Sequence, residues 1–181
     1  MSVHGTAHRH ILLKPGELYV ADGPCLVSTL LGSCVAITLY APRNRLGAMC
    51  HALLPSCREP GRLACQEHFR HVECAVGYMM DAFRERGILC REIEAKVFGG
   101  ADMFSVGPGG CWPDGRPTVG RQNMEKANEI LAAEGVRIAV CDVGGLRGRK
   151  IIFSPHTGEV FLKRLNRLKV GMDEWPAGGA P

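Results

Sequence analysis

Between Glu17 and Leu54 the chain passes through four short apolar runs, Glu17–Ala21, Cys25–Leu31, Cys34–Tyr40 and Leu46–Leu54. Each is cut off by punctuation: Gly23-Pro24, Gly32-Ser33 or Pro42-Arg43-Asn44. Runs of that length between such breakers are strands, so the first third of the chain must be sheet. Helical periodicity arrives only later. Phe69, Val72, Val76, Met79 and Phe83 recur at 3/4 spacing and predict a helix from Cys65 to Arg86, stopped by Gly87. Met124, Ala127 and Leu131 predict a second over Arg121–Glu134, closed by Gly135. Glu92–Phe98, Val136–Val143, Lys150–Ser154 and Glu159–Leu162 read as further strands, with a breaker-rich loop over 104–118. Many strands with two main covering helices make an α+β, layered, β-sandwich-like domain.

At 181 residues and 46% hydrophobic, the chain can bury one core without disulfide staples. Residues 1–169 are expected to form a single domain, with 1–10 frayed and 170–181 a disordered tail. No apolar run is long enough for a membrane span, and the N-terminus lacks the apolar stretch of a secretory signal, so no membrane insertion is expected. The net charge of +4 is mild. Basic residues thicken between Arg147 and Lys169 but without a base-stacking pattern; a solvated face is expected there, not a nucleic-acid partner. The nine cysteines are an odd, scattered set with no CxxC, which suits small buried hydrophobes in a reducing cytoplasm.

One cysteine stands apart. Leu31-Gly32-Ser33-Cys34-Val35 sets a thiol at a glycine-permitted turn between two strands, where backbone N–H groups near Gly32 and Ser33 can hold an oxyanion. If the following hairpin turns on Pro42-Arg43, Cys34 lies opposite His51; centred one residue later, the two become diagonal neighbours. An imidazole there can hold the thiol as thiolate and return a proton to a leaving group.

Two other chemistries compete. Cys57, Cys65, His68, His71 and Cys74 fall within 18 residues. On one continuous helix Cys65 and Cys74 point to opposite sides, and zinc-ribbon spacing is absent, so no metal is assigned. Ser33 lacks the Gly-x-Ser-x-Gly elbow of a serine nucleophile. A non-catalytic binding adaptor is the remaining alternative.

The string Leu31-Gly32-Ser33-Cys34-Val35, then Gly47-Ala48-Met49-Cys50-His51 and Leu54-Pro55, resembles the CheD family, the chemoreceptor glutamine deamidases of bacterial chemotaxis. The likeness continues through Ala95-Lys96-Val97-Phe98-Gly99-Gly100-Ala101, Gly120-Arg121-Gln122-Asn123, Asp142-Val143-Gly144-Gly145 and Thr157-Gly158-Glu159-Val160. The resemblance implies Cys34 as nucleophile and His51 as catalytic histidine. It also implies a hydroxyl six residues before the cysteine, which is Ser28 here, with Thr29 beside it as the alternative. It implies a fold related to glutamine-deamidating toxin domains, no metal or organic cofactor, and a cytoplasmic location. The implied partners are the cytoplasmic regions of methyl-accepting chemotaxis proteins and a CheC-type phosphatase.

Overall fold

The computed structural model describes residues 9–57, 69–102, 111–112 and 114–165. Among these residues nine strands, β1 (Arg9–Leu12), β2 (Leu18–Ala21), β3 (Cys25–Leu31), β4 (Val35–Ala41), β5 (Leu46–Ala52), β6 (Glu94–Gly99), β7 (Arg137–Val143), β8 (Arg149–Phe153) and β9 (Val160–Arg164), form two sheets. One is four-stranded, in the order β1-β3-β8-β9; the other is five-stranded, β2-β5-β4-β6-β7. The described α-helices are α1 (Val72–Arg84) and α2 (Val119–Ala133).

Alternation along the central strands explains the layering, because successive side chains leave a strand on opposite faces. On β4 and β5, Val35, Ile37, Leu39, Ala48, Cys50 and Ala52 pack with Val72, Val76, Met79, Phe83, Ala127 and Leu131 of the helices. Ala36 and Met49, on the other face, pack with Val27, Leu31, Ile151 and Phe153 of the four-stranded sheet. The result is helices on sheet on sheet, which agrees with the α+β expectation.

Two details differ from the sequence reading, and a third, the hairpin, takes the second of the two registers left open. Arg9 and His10 belong to β1, which pairs in parallel with β3, so the frayed segment expected over 1–10 does not reach them. The rest of that segment and the expected tail lie outside the described residues. The first helix starts at Val72, after an extended His71 (φ −101°, ψ 134°), and not at Cys65. The hairpin joins Ala41 to Leu46 and pairs Ala36 with His51. Proline cannot take the positive φ that a tight two-residue hairpin turn demands at its first position. The loop therefore lengthens to Pro42–Arg45 and places Arg45 at φ +49°.

Candidate active site

The site is assembled where β3, β4 and β5 meet between the sheets. His51 leaves β5 on the same face as Met49, pointing into the space between the sheets. Thr29 leaves β3 on the same face as Val27 and Leu31, pointing into that space from the other side. Their side chains meet, with Thr29 Oγ1 2.7 Å from His51 Nδ1. Ser28, on the opposite face of β3, does not make this contact. Of the two hydroxyls expected for the role, Ser28 and its alternative Thr29, strand alternation turns Thr29, five residues before Cys34, toward the histidine. Ser28 acts through its main chain, its carbonyl accepting from Leu13 N–H at 2.8 Å.

That contact fixes the histidine tautomer. The Thr29 hydroxyl donates its single proton to the Leu13 carbonyl at 2.9 Å. Its oxygen can then only accept from His51, so Nδ1 carries the hydrogen and Nε2 keeps its lone pair. Nε2 is buried with no hydrogen-bond partner among the described residues. An unpaired buried acceptor is costly, and a neutral imidazole in this state can take up a proton. Main-chain bonds clamp the ring's own residue: His51 N–H donates to Glu17 at 2.9 Å, and its carbonyl accepts from Gly16 at 2.8 Å.

Cys34 sits one residue before β4, two before the partner of His51, and packs against the inter-sheet cluster. The two are diagonal cross-strand neighbours, the second of the two registers weighed from sequence. Three successive carbonyls anchor the turn that carries the thiol. Gly32 O accepts from Ala101 N–H at 2.8 Å, Ser33 O from Asn123 Nδ2 at 3.2 Å, and Cys34 O from Gly100 N–H at 2.8 Å. In a trans peptide the N–H opposes the C=O. The N–H groups of Ser33 and Cys34 therefore point away from these anchors, and that of Cys34 lies against its own sulfur. The amides left facing away from the anchoring bonds are those of Ser33 and Cys34.

Asn123 was not singled out from the sequence for a role. It is fully buried on the inner stripe of α2 with Gly120, Ala127 and Leu131. Its amide also donates to Leu53 O at 2.8 Å, so one side chain ties the thiol turn to the end of the strand bearing His51. A polar residue at helical spacing on an otherwise small, apolar stripe was the available signal. Gly99 (φ +109°) approaches so closely that an added Cβ would fall 2.2 Å from Cys34 O. The loop after β6 is held in turn by Gly144–Gly145, to which the buried Arg149 is tied through Gly144 O at 2.9 Å and Asp142 at 2.8 Å.

Burial pushes the Cys34 thiol up from its ordinary value, opposed by its own backbone N–H. Burial also pushes His51 down, opposed by the Leu13 carbonyl and the charge of Glu17. Both directions favour the uncharged forms, whereas the cysteine–histidine spacing alone leads to the expectation of a thiolate. Cys50, fully enclosed in the helix-side core, is pushed up to about 12 and is an inert packing group.

A second cluster lies apart from this one: Cys57, His71 and Cys74 offer ligand atoms all within 4.8 Å of one another. Cys65 and His68 lie outside the described residues. Among the described residues no helix is long and apolar enough to cross a membrane.

Comparison with known proteins places the chain in context. The family model described as CheD chemotactic sensory transduction matches residues 53–164, downstream of Cys34 and His51. A probable chemoreceptor glutamine deamidase CheD 2 of Geobacter sulfurreducens is 45% identical over 158 residues, covering 87% of this chain and 91% of that protein. A probable chemoreceptor glutamine deamidase CheD of Maridesulfovibrio salexigens is 38% identical over 165 residues, covering 88% and 94%. Its namesake in Oleidesulfovibrio alaskensis is 40% identical over 175 residues, covering 90% and 79%.

Proposed function

This chain belongs to the CheD family, and from that membership we propose that it deamidates glutamine side chains of chemoreceptors by cysteine–histidine catalysis. The substrate is a carboxamide on the cytoplasmic region of a methyl-accepting chemotaxis protein, and the enzyme works in the cytoplasm. The observation that carries the mechanism is the relay Leu13 C=O, Thr29 Oγ1, His51 Nδ1, which leaves Nε2 as a buried, unpaired base on the strand beside Cys34.

The reaction follows from that arrangement. Nε2 takes the Cys34 proton as Sγ attacks the carboxamide carbon, so a resting thiolate is unnecessary. The new oxyanion is held by the amides of Ser33 and Cys34. Its collapse breaks the C–N bond, and His51 returns the proton to the departing nitrogen, releasing ammonia and leaving a thioester. Nε2 then deprotonates a water that attacks the thioester carbon. The C–S bond breaks, glutamate leaves, and the proton on His51 restores the thiol. Thr29 is a positioning residue that holds the ring and its tautomer. Every step uses groups of this chain and water.

A CheC-type phosphatase is a further proposed partner, and kinship with toxin deamidase domains is proposed from the layered fold. Incubation with a purified receptor cytoplasmic fragment tests the central reading. Peptide mass spectrometry is expected to find specific glutamines converted to glutamate, with ammonia released in equal amount. A fragment left unmodified by wild-type protein but bound to it would favour the adaptor alternative.

A further inference from the structure

Cys57, His71 and Cys74 are drawn together by the main chain, and no step of the amide chemistry uses them. Val72 N–H donates to Leu54 O at 2.8 Å and Glu73 N–H to Pro55 O at 3.3 Å, while Leu53 and Leu54 both donate to Arg70 O. These bonds lay the segment leading to Cys57 along the start of α1. His71 is the N-cap of that helix and makes no capping bond with its side chain. Cys74 follows three residues later, at a spacing that brings two side chains onto one helix face. The three donor atoms lie within 4.8 Å of one another and all three residues are half-buried. His71 Nδ1 is buried without a hydrogen-bond partner among the described residues.

We propose that Cys57, His71 and Cys74 bind a zinc ion that ties the segment after β5 to the N-terminus of α1. Two sulfurs and one imidazole are a donor set for a borderline-soft cation and a poor one for magnesium or calcium, which take oxygen. Tetrahedral zinc at ordinary bond lengths puts neighbouring sulfur and nitrogen donors about 3.5–3.8 Å apart, a contraction that side-chain rotation can supply. The N-terminal end of α1 favours the negative thiolate of Cys74. Three protein ligands leave one tetrahedral position for a further donor.

Cys65 and Cys74 would point apart only on a continuous helix from Cys65. The helix starts at Val72, with Cys57 on a separate segment beside it, so these three residues can face one another. The ion would act on placement. Asn123 already holds Leu53 O, so the site would fix the other end of the short segment that leaves the His51 strand.

The test uses the full chain, grown with zinc and purified without chelator. Elemental analysis is expected to find about one zinc per chain. After zinc is stripped, added cobalt is expected to give the intense near-ultraviolet absorption of thiolate-to-cobalt charge transfer. Cys57→Ser and Cys74→Ser should each lower the bound metal at least tenfold, while Cys141→Ser, on the exposed β7, keeps the wild-type content. Cys57 lies outside any helix, so its variant carries the test if Cys74→Ser fails to fold. Three results would each overturn the proposal: metal-free wild-type protein that shows no charge-transfer band with cobalt, metal content indifferent to both substitutions, or a Cys57–Cys74 disulfide in protein that takes up no metal.

Discussion

Among the described residues His51 and His71 each keep one ring nitrogen buried without a hydrogen-bond partner, and each has cysteine for a neighbour, yet the surroundings suit them to different work. At His51 the opposite nitrogen is locked by Thr29, one cysteine lies on the adjacent strand turn, and the ring stands between two sheets. At His71 the side chain caps nothing, and two cysteines approach it from separate segments. One thiol beside an oriented base suits a nucleophile, and two thiols around an imidazole suit a ligand set. On the two proposals, the same residue types would divide into proton transfer and cation binding according to what holds the second ring nitrogen.

The sharpest way to break that division is Cys34→Ala. It should lower deamidation of a receptor fragment by about 10⁴-fold or more, as loss of a covalent nucleophile does. Bound zinc should stay at the wild-type level. Turnover and elemental analysis on the same preparation check both halves. A Cys34→Ala protein that keeps its activity removes the nucleophile; one that loses its metal merges two sites held here to be separate.

A smaller effect sharpens the His51 side. Thr29→Val preserves shape but leaves Leu13 O and His51 Nδ1 without their shared partner, and should lower kcat about 100-fold. It should also cost about 1–3 kcal/mol of stability, since both groups are buried. Thr29→Ser, which keeps the oxygen, should recover most of the rate. Ser28→Ala changes a side chain on the far face of β3 and should stay within about threefold of wild type, as substitutions remote from a mechanism do. Steady-state kinetics with chemical denaturation of the four proteins decides between neighbours. An inactive Ser28→Ala beside an active Thr29→Val would return the hydroxyl role to position 28.

How this site could be read from the sequence depends on which residues chemistry alone marks. Cys34 and His51 were legible because a thiol at a glycine turn and a histidine on the next strand are rare in an apolar frame. The strand Cys25–Leu31 was legible to its ends, but not its faces. Leu26, Ser28 and Leu30 alternate with Val27, Thr29 and Leu31, so both sides read as apolar, and only the packing of the second sheet selects Thr29. β1 was missed because four residues beside a long strand carry no period of their own; main-chain pairing with β3 defines it. The 3/4 spacing runs back to Cys65 because spacing cannot register the extended backbone at His71. The cysteines and histidines of 57–74 are legible as a group, but which of them meet is decided by main-chain bonds to Leu54 and Pro55 carbonyls that no motif records.

The smallest effect concerns the protonation of the resting pair. The Cys34 thiol is raised and His51 is lowered, each chiefly by burial. An ion pair would give an alkylation rate nearly flat across neutral pH, because the thiolate would already be formed. A neutral pair predicts a rate that climbs about tenfold per pH unit through pH 7 to 8.5, since only the minor thiolate reacts. Timed iodoacetamide labelling with peptide mapping measures it, with the enclosed Cys50 as the unreactive reference. The histidine gives the matching thermodynamic sign. Its folded value lies below the ordinary 6.5, so the unfolded chain binds more protons as the solution is acidified. The stability that neutral His51 contributes is therefore fully present above about pH 6.5 and is lost as pH falls below it. His51→Gln should remove that part of the acid sensitivity, read as a smaller shift of the urea midpoint between pH 7.5 and pH 5.5. A flat alkylation profile, together with a wild-type midpoint that rises on acidification to pH 5.5, would mean the pair is charged at rest. The catalytic histidine would then start the reaction as the acid and not the base.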